Sequence, residues 1–580
     1  MARPQIHLQL APMRGYVRVT RGADVDDNQW LQVRAEWSRD SRGAAHVVDV
    51  PVEEFISRLS SFVSRCRRCG LDASYTDDIL AFVQRAHTTR ATLMQNLTGR
   101  GGPIPADLAE TLEGEGFTRG LRDFQRDDVA TLIALQHGAN FSVPGAGKTT
   151  VALAVYAAER ARGRVERMLV IAPLSAFPAW FEEVEDCFAR PPEIERYVGG
   201  AVRAGVEVLI VNYQRLAANY DELADWVAAR PTLVLLDEAH RMKRGWRGEW
   251  GTACLNLAYL AERRDILTGT PAPQSPRDLV ALIDFVWPNS AARILPADAL
   301  SASPPPDAGL RVANTIRPIF VRTTKKDLGL PPVSFSPLRV RMSNLQRDIY
   351  TALCDQYAGA LGVSRRERVD FVRMGRIVMY LLEAATNPLL LTAGSLAGAD
   401  PEEFRHPPLE IPPGSPLAAI LREYNQYDTP TKFITLAELV KTNAEAGRKT
   451  LVWTNFVRNI LTLERMLRVY QPSVIHGGVP PYAERPDVRS RELEIARFRR
   501  DPDCLVLIAN PAAMSEGISL HHDCHDAIYV DRTFNAGHYL QSIDRIHRLG
   551  LDPNTVKVQL HLLELRDLIP TESDILFMLQ

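Results

Sequence analysis

Lysine is nearly missing from this chain: only eight of its 68 basic side chains are lysine, and the rest are arginine. Such a bias is what a GC-rich genome of bacterial type is expected to give, and it makes each remaining lysine worth inspecting. No charge sign dominates, the formal net charge being −2. A near-neutral total neither requires nor excludes a polyanionic partner, because binding needs basic charge on one surface only. Cysteine is scarce and odd in number, seven in 580 residues, which excludes a fully paired disulfide framework and fits free thiols in a reducing cytosol. No apolar run reaches the length of a membrane span, and Met1 to Thr20 lacks the apolar core of a secretory signal. The expected location is therefore the cytoplasm, with no membrane partner.

What is present is a globular composition, 46% hydrophobic and 24% charged, in a chain too long for one core and suited to about three domains. The first stretch begins with strand-like alternation at Ile6 to Leu10 and Tyr16 to Val19, then turns helical at Val52 to Arg68 and Asp77 to Ala86. From Leu121 the rhythm changes to short apolar runs separated by amphipathic helices, the pattern of a parallel sheet covered on both faces. The runs are Phe141 to Val143, Met168 to Ala172, Val206 to Val211, Leu233 to Leu236 and Asp265 to Leu267. A second series comprises Thr450 to Trp453, Ser473 to Ile475, Cys504 to Ala509, Ala527 to Val530 and Val556 to Leu560. Between them lie helical patterns at Gln346 to Leu361 and Val369 to Ala385, with Pro- and Gly-rich breakers on either side. The expected division is an accessory α/β domain over 1–116, a first lobe over 117–325, a helical connector over 326–430 and a second lobe over 431–580.

The strongest local signal is Gly145-Ala146-Gly147-Lys148-Thr149-Thr150, after a predicted strand and before a helix expected over Val151 to Arg162. Glycines let backbone N–H groups wrap phosphates at a helix N-terminus, Lys148 reaches the β and γ phosphates, and the Thr149 hydroxyl ligates Mg2+. Farther on, Asp237 and Glu238 stand at the C-terminal end of the apolar run Leu233 to Leu236, where ligands of open α/β sheets gather. Asp237 can hold Mg2+ through water, and Glu238 can orient and deprotonate an attacking water. In the second series, Gln541, Arg545 and Arg548 fall at i, i+4 and i+7, so on a helix they share one face. Such a face can close over a nucleotide with arginines neutralising the γ phosphate; an isolated solvated stripe would read the same way.

Taken together the motifs resemble helicase superfamily 2, in its Swi/Snf-type DNA-dependent ATPase branch, in the family's order from about Leu121 to Leu565. Leu121-Arg122-Asp123-Phe124-Gln125 matches the segment whose glutamine reads adenine, and Asp237-Glu238-Ala239-His240 matches the acidic box. Leu267-Thr268-Gly269-Thr270-Pro271 matches the motif linking hydrolysis to lobe movement, with Gly517 its expected counterpart in the second lobe. Leu451 to Phe456 resembles the first strand of the second lobe, and Arg545 to Gly550 the arginine-finger motif. The resemblance implies an α/β fold with two RecA-like doubly wound parallel-sheet lobes, helical insertions and a small N-terminal α/β accessory domain.

It further implies a DNA-stimulated ATPase using ATP and Mg2+, with Lys148, Asp237, Glu238, Arg545 and Arg548 catalytic. Gln125, Gly145 to Thr150 and Gln541 would bind the nucleotide. The implied track is double-stranded DNA held by its phosphate backbone independently of sequence. By position, Pro173, Ser175, Asn212, Tyr213, Thr454, Asn455 and Ser515 are the candidate contacts. An RNA- or RNA-polymerase-directed motor, and a nucleotide-gated scaffold signalling to a partner, are the competing functions. Compact bacterial motors of this type resemble components of anti-phage systems, which makes other defence or DNA-processing proteins the expected partners.

This sequence also departs from the family. Leu551 replaces a glutamine, Ala272-Pro273-Gln274 replaces Leu-Gln-Asn, and Asn510 to Leu520 keeps only Gly517 of a glycine-richer pattern. Cys66 and Cys69 form one Cys-x-x-Cys without a second pair, and His521, Asp523, Cys524 and His525 fall inside a motif the motor already accounts for. Neither set is expected to hold a metal.

Overall fold

The computed structural model describes residues 3–565 apart from 12–14, 38–44, 100, 105–106, 274, 302–303, 362–367, 393–406, 481–487, 515–517, 533–535 and 552–556. Ser515, Gly517, Gln274 and the Val556 start of the last expected strand thus lie outside the described residues. The chain divides into two compact units, Met1–Leu328 and Gly329–Gln580.

The first unit opens with a four-stranded sheet of β1 (Gln5–Leu10), β2 (Tyr16–Arg21), β3 (Val47–Pro51) and β4 (Asp72–Tyr75), ordered β3-β2-β1-β4. Ile6, Leu8, Val17, Val19, Val48 and Val50 alternate with polar neighbours and point to one buried face. There they meet helix Val52–Arg68 through Phe55 and Phe62. Glu53 and Glu54 in the first turn of this helix, and Arg65, Arg67 and Arg68 in its last, suit the helix dipole. The next helix runs Asp77–Leu97, past the expected end at Ala86. The apolar stripe lapses over His87 to Arg90 but resumes at Leu93, which packs in the core of the following sheet, and Asn96 Nδ2 donates to the Leu135 carbonyl at 2.9 Å.

That sheet has seven strands: β5 (Gly138–Asn140), β6 (Arg167–Ile171), β7 (Ile194–Arg196), β8 (Val208–Val211), β9 (Thr232–Asp237), β10 (Arg263–Leu267) and β11 (Phe320–Val321). Their order is β11-β5-β10-β9-β6-β8-β7, and every pairing is parallel. The loops leaving β5, β10, β9, β6 and β8 therefore open on one edge. The strand expected at Phe141 to Val143 is displaced to Gly138–Asn140. A Cβ at Gly138 would lie 2.4 Å from Leu132 Cδ2, so a side chain there would have to displace that methyl group. Phe141 and Val143 run on as extended chain, donating to the Val321 carbonyl at 2.8 Å and the Thr323 carbonyl at 3.1 Å.

The second unit holds a six-stranded, all-parallel sheet: β12 (Val333–Val340), β13 (Thr450–Trp453), β14 (Ser473–Ile475), β15 (Val506–Ala509), β16 (Asp526–Tyr529) and β17 (Val558–Leu565), ordered β12-β17-β16-β13-β15-β14. Helices Asn344–Leu361, Arg368–Thr386 and Pro416–Tyr427 form a separate small core with Met342 and Leu391. The stretch 326–430, expected as a helical connector, also contributes β12. Its Pro337 argues against a central strand, but among the described residues β12 pairs only with β17 at the sheet's edge, and an edge tolerates a missing N–H. Two of the scarce lysines tie this unit together: buried Lys432 donates to the Val530 carbonyl at 2.9 Å, and Lys449 donates to the Asp501 carbonyl at 2.9 Å beyond helix Arg491–Arg500.

Candidate active site

The loop after β5 turns twice through left-handed backbone, at Gly145 (φ 81°) and Gly147 (φ 75°), conformations that glycine adopts without penalty. Gly147 caps helix Lys148–Ala161, which starts three residues before its expected first residue, Val151. A Cβ at Gly147 would also lie 2.4 Å from Gln125 Nε2. Gln125 is buried beneath the loop, donating to the Ala146 carbonyl at 3.3 Å and accepting from Arg122 N at 3.0 Å. Lys148 Nζ lies back along its own loop, 3.1 Å from the Ser142 carbonyl and 3.4 Å from that of Val143. Thr149 is half-buried on the first turn, and Thr150 donates through its hydroxyl to Glu183. A glycine turn, a helix N-terminus and a lysine together suit a polyphosphate.

At the end of β9, Asp237 Oδ1 accepts from Glu238 N at 3.0 Å and Oδ2 accepts from Trp180 Nε1 at 2.9 Å. Glu238 holds a left-handed backbone (φ 48°), uncommon for a side chain of this kind and characteristic of constrained sites. Burial alone would raise its pKa. The close polar contact with His240, then the charges of Lys148 and Arg241, outweigh that and hold the carboxyl well below the usual carboxylate range. Its Oε2 lies 3.4 Å from His240 Nδ1, a charge contact without hydrogen-bonding geometry, so this buried oxygen has no hydrogen-bond partner among the described residues. It is an ionised acceptor with lone pairs to spare, as the activation of a water requires. These groups fit a magnesium-bound nucleotide: Thr149 and Asp237 for the metal, Lys148 and the loop amides for the phosphates.

The segment after β10 touches both features. Thr268 Oγ1 is 3.1 Å, and Thr270 Oγ1 3.5 Å, from His240 Nδ1. A Cβ on Gly269 would fall 2.7 Å from Pro144 Cδ. Thr268, Gly269 and Thr270 thus join the acidic box to the phosphate loop by direct packing.

In the second unit helix Ala536–Ile543 ends before them, so Arg545 and Arg548 do not continue a helical face from Gln541 as expected. The backbone tightens into turns, Arg545 N bonding to the Ser542 carbonyl at 3.3 Å and Ile546 N to that of Ile543 at 3.2 Å. One carbonyl nonetheless gathers both arginines: Ile518 O accepts from Arg545 Nη1 at 2.8 Å and from Arg548 Nη1 at 3.2 Å. Arg545 is buried and also donates to the Gln541 carbonyl at 2.9 Å, whereas Arg548 is half-buried.

The expected track contacts divide. Pro173 and Ser175 follow β6; Asn212 follows β8 and caps the next helix by accepting from Arg215 N at 2.7 Å. Tyr213 is not a surface contact: its side chain is buried and its hydroxyl donates to the Asp237 carbonyl at 2.7 Å. Thr454 is likewise buried, with its hydroxyl 2.5 Å from Asp531 Oδ2; Asn455 donates N–H and Nδ2 to Asp531 Oδ1, both at 2.7 Å. Both side chains are withdrawn because a buried carbonyl or carboxylate needs their donors more than solvent does. The sequence reading missed Trp180 and Asp531 as partners. Asp531 one position beyond an apolar run could have been noticed; nothing local marks Trp180. No His/Cys/Asp/Glu cluster of metal-binding geometry occurs among the described residues.

Residues 141–384 match the SNF2-related domain family and 431–550 the helicase conserved C-terminal domain family. Chromatin structure-remodeling complex subunit snf21 of Schizosaccharomyces pombe is 24% identical over 438 residues, covering 70% of this chain and 34% of its own length. DNA excision repair protein ERCC-6-like of Homo sapiens is 24% identical over 478 residues, covering 72% and 37%. This chain thus spans little more than a third of the length of these two relatives. The solved SWI2/SNF2 ATPase core of Sulfolobus solfataricus in complex with dsDNA is 19% identical, covering 77% of this chain and 88% of that one at a TM-score of 0.36.

Proposed function

Because the chain belongs to the Snf2-family ATPases, with an SNF2-related domain ahead of a helicase C-terminal domain, we propose that it couples ATP hydrolysis to movement along double-stranded DNA. The observation that carries this reading is the half-buried Glu238 carboxylate at the end of β9: its Oε2 has no hydrogen-bond partner among the described residues, and the charges of His240 and Lys148 lie beside it. Glu238 would orient the attacking water and take its proton, while Lys148 and the amides of Gly145 to Thr149 hold the β and γ phosphates. Gln125, beneath the loop, is assigned the adenine. Thr149 and Asp237 would hold Mg2+, which supplies charge neutralisation on the phosphates. Gln541, Arg545 and Arg548 are assigned to the nucleotide from the second unit, the arginines offsetting charge on the transferred phosphoryl group. Thr268, Gly269, Thr270 and Gly517 would relay turnover to movement.

The track would be gripped by its phosphates, a sequence-independent contact suited to a motor that must keep moving. Pro173, Ser175, Asn212, Asn455 and Ser515 are its proposed contacts, with Tyr213 and Thr454 supporting them from inside. ATPase assays with duplex DNA, single-stranded DNA and structured RNA test this. Duplex should stimulate most, and Glu238→Gln should lower turnover at least about 100-fold. Equal stimulation by RNA, or full activity in Glu238→Gln, would refute the assignment. The proposed setting is a bacterial anti-phage system with further protein partners, supported by resemblance alone. Unchanged phage plating on cells carrying Lys148→Ala would remove it.

A further inference from the structure

The helix Phe177–Cys187 has a task that the motif reading does not give it. Trp180 is among the largest fully buried side chains of the protein, and its indole N–H donates to Asp237 Oδ2 at 2.9 Å. Three residues on, so on the same face of the helix, Glu183 accepts the hydroxyl of Thr150. Thr150 directly follows Thr149 on the first turn of helix Lys148–Ala161. One helix therefore holds the acidic box through Trp180 and the phosphate-loop helix through Glu183. Arg119 keeps Glu183 in place from outside, with Nη1 3.7 Å from Oε2.

A hydrated Mg2+ demands near-octahedral geometry, so the hydroxyl of Thr149 and the carboxylate of Asp237 must keep a fixed separation. A carboxylate at a strand end can rotate about its own axis. Here Glu238 N fixes one oxygen at 3.0 Å and a rigid indole fixes the other. We propose that Trp180 is a positioning residue for the metal: it sets the Asp237 carboxylate, and the helix that carries it splints Asp237 to Thr149. The inference rests on the ATPase reading above.

The test uses the full chain and a non-hydrolysable ATP analogue, titrated with and without Mg2+. In Trp180→Phe, which keeps the ring and loses the donor, the gain in analogue affinity from Mg2+ should shrink about 10- to 100-fold. Affinity without Mg2+ should stay within about twofold, because the phosphate loop is untouched. In an Asp237→Asn background, Trp180→Phe should have no further effect, whereas a purely structural role would add its loss there too. Glu183→Ala, which removes the acceptor of the Thr150 hydroxyl, provides a second probe should Trp180→Phe melt early, and it should weaken the Mg2+ gain in the same direction. An undiminished Mg2+ gain in either variant, or additive losses with Asp237→Asn, overturns the proposal. Lys148→Ala run in parallel separates the two readings: if it binds the analogue normally, the nucleotide site itself is misassigned.

Discussion

Replacing Gly269 by alanine is the smallest perturbation that probes how the phosphate loop is supported. The added methyl carbon would lie 2.7 Å from Pro144 Cδ and 3.1 Å from Cγ. Carbon atoms rest at about 3.5–4.0 Å, so the overlap is close to an ångström. The pyrrolidine ring cannot swing aside as a lysine or methionine tip could, because it is part of the loop backbone between Val143 and Gly145. The loop or the Thr268 to Thr270 segment must move instead. Overpacking of this size costs about 1–3 kcal/mol. If the loop must return to its wild-type shape to bind phosphate, nucleotide affinity falls roughly 5- to 150-fold. If the strain is present already without nucleotide, the same energy lowers the melting temperature. Titration with an ATP analogue and a thermal melt of the same sample read both possibilities. Wild-type values in both would refute the claim that Gly269 and Pro144 pack as a unit.

Other positions give separate tests. Tyr213→Phe should cost about 1 kcal/mol in chemical denaturation by removing the hydroxyl that donates to the Asp237 carbonyl, while the salt dependence of DNA binding stays unchanged; the reverse pattern would restore Tyr213 as a track contact. Thr454→Val removes one of the donors on buried Asp531 and should cost about 1–3 kcal/mol, with an unchanged unfolding midpoint as the contrary result. Where the accessory sheet meets the seven-stranded one, burial first, then Asp284 and Glu54, raise Glu53 from the usual 4.5 to about 7. A group that holds its proton more tightly when folded contributes stability fully below pH 4.5, and that contribution is lost as the pH climbs through 7. Glu53→Gln should therefore flatten the stability–pH curve of the first unit between those limits, and an unaltered slope would show that Glu53 is solvated.

Elements with strong periodicity or strong local chemistry were legible in the sequence. Four of the five apolar runs up to Leu267 correspond to strands of the parallel sheet, and Gly145 to Thr150 forms the turn and helix start that its glycines dictate. Features set by tertiary context were not. Gly138–Asn140 reads as a turn until Leu132 is found filling the space a side chain would take. The edge strand Val333–Val340 is hidden by Pro337, which an edge alone forgives. Arg545 and Arg548 sit at helical spacing, yet they lie beyond the helix and converge through the Ile518 carbonyl, a partner that no periodicity announces. Polar loop residues are hardest of all: Asn212, Tyr213, Thr454 and Asn455 occupy matching positions after strands, and only the buried carbonyl and carboxylate beside them reveal which face inward.

The central claim is that the second unit supplies a group needed for chemistry at a nucleotide bound in the first. Single-turnover ATP hydrolysis by Arg548→Ala, with saturating duplex DNA and nucleotide binding measured alongside, tests it most directly. Arg548 is the better choice because Arg545 is buried and supports its own turn. The account predicts near-normal nucleotide binding with hydrolysis slowed about 1,000-fold or more. Hydrolysis within twofold of wild type would contradict it.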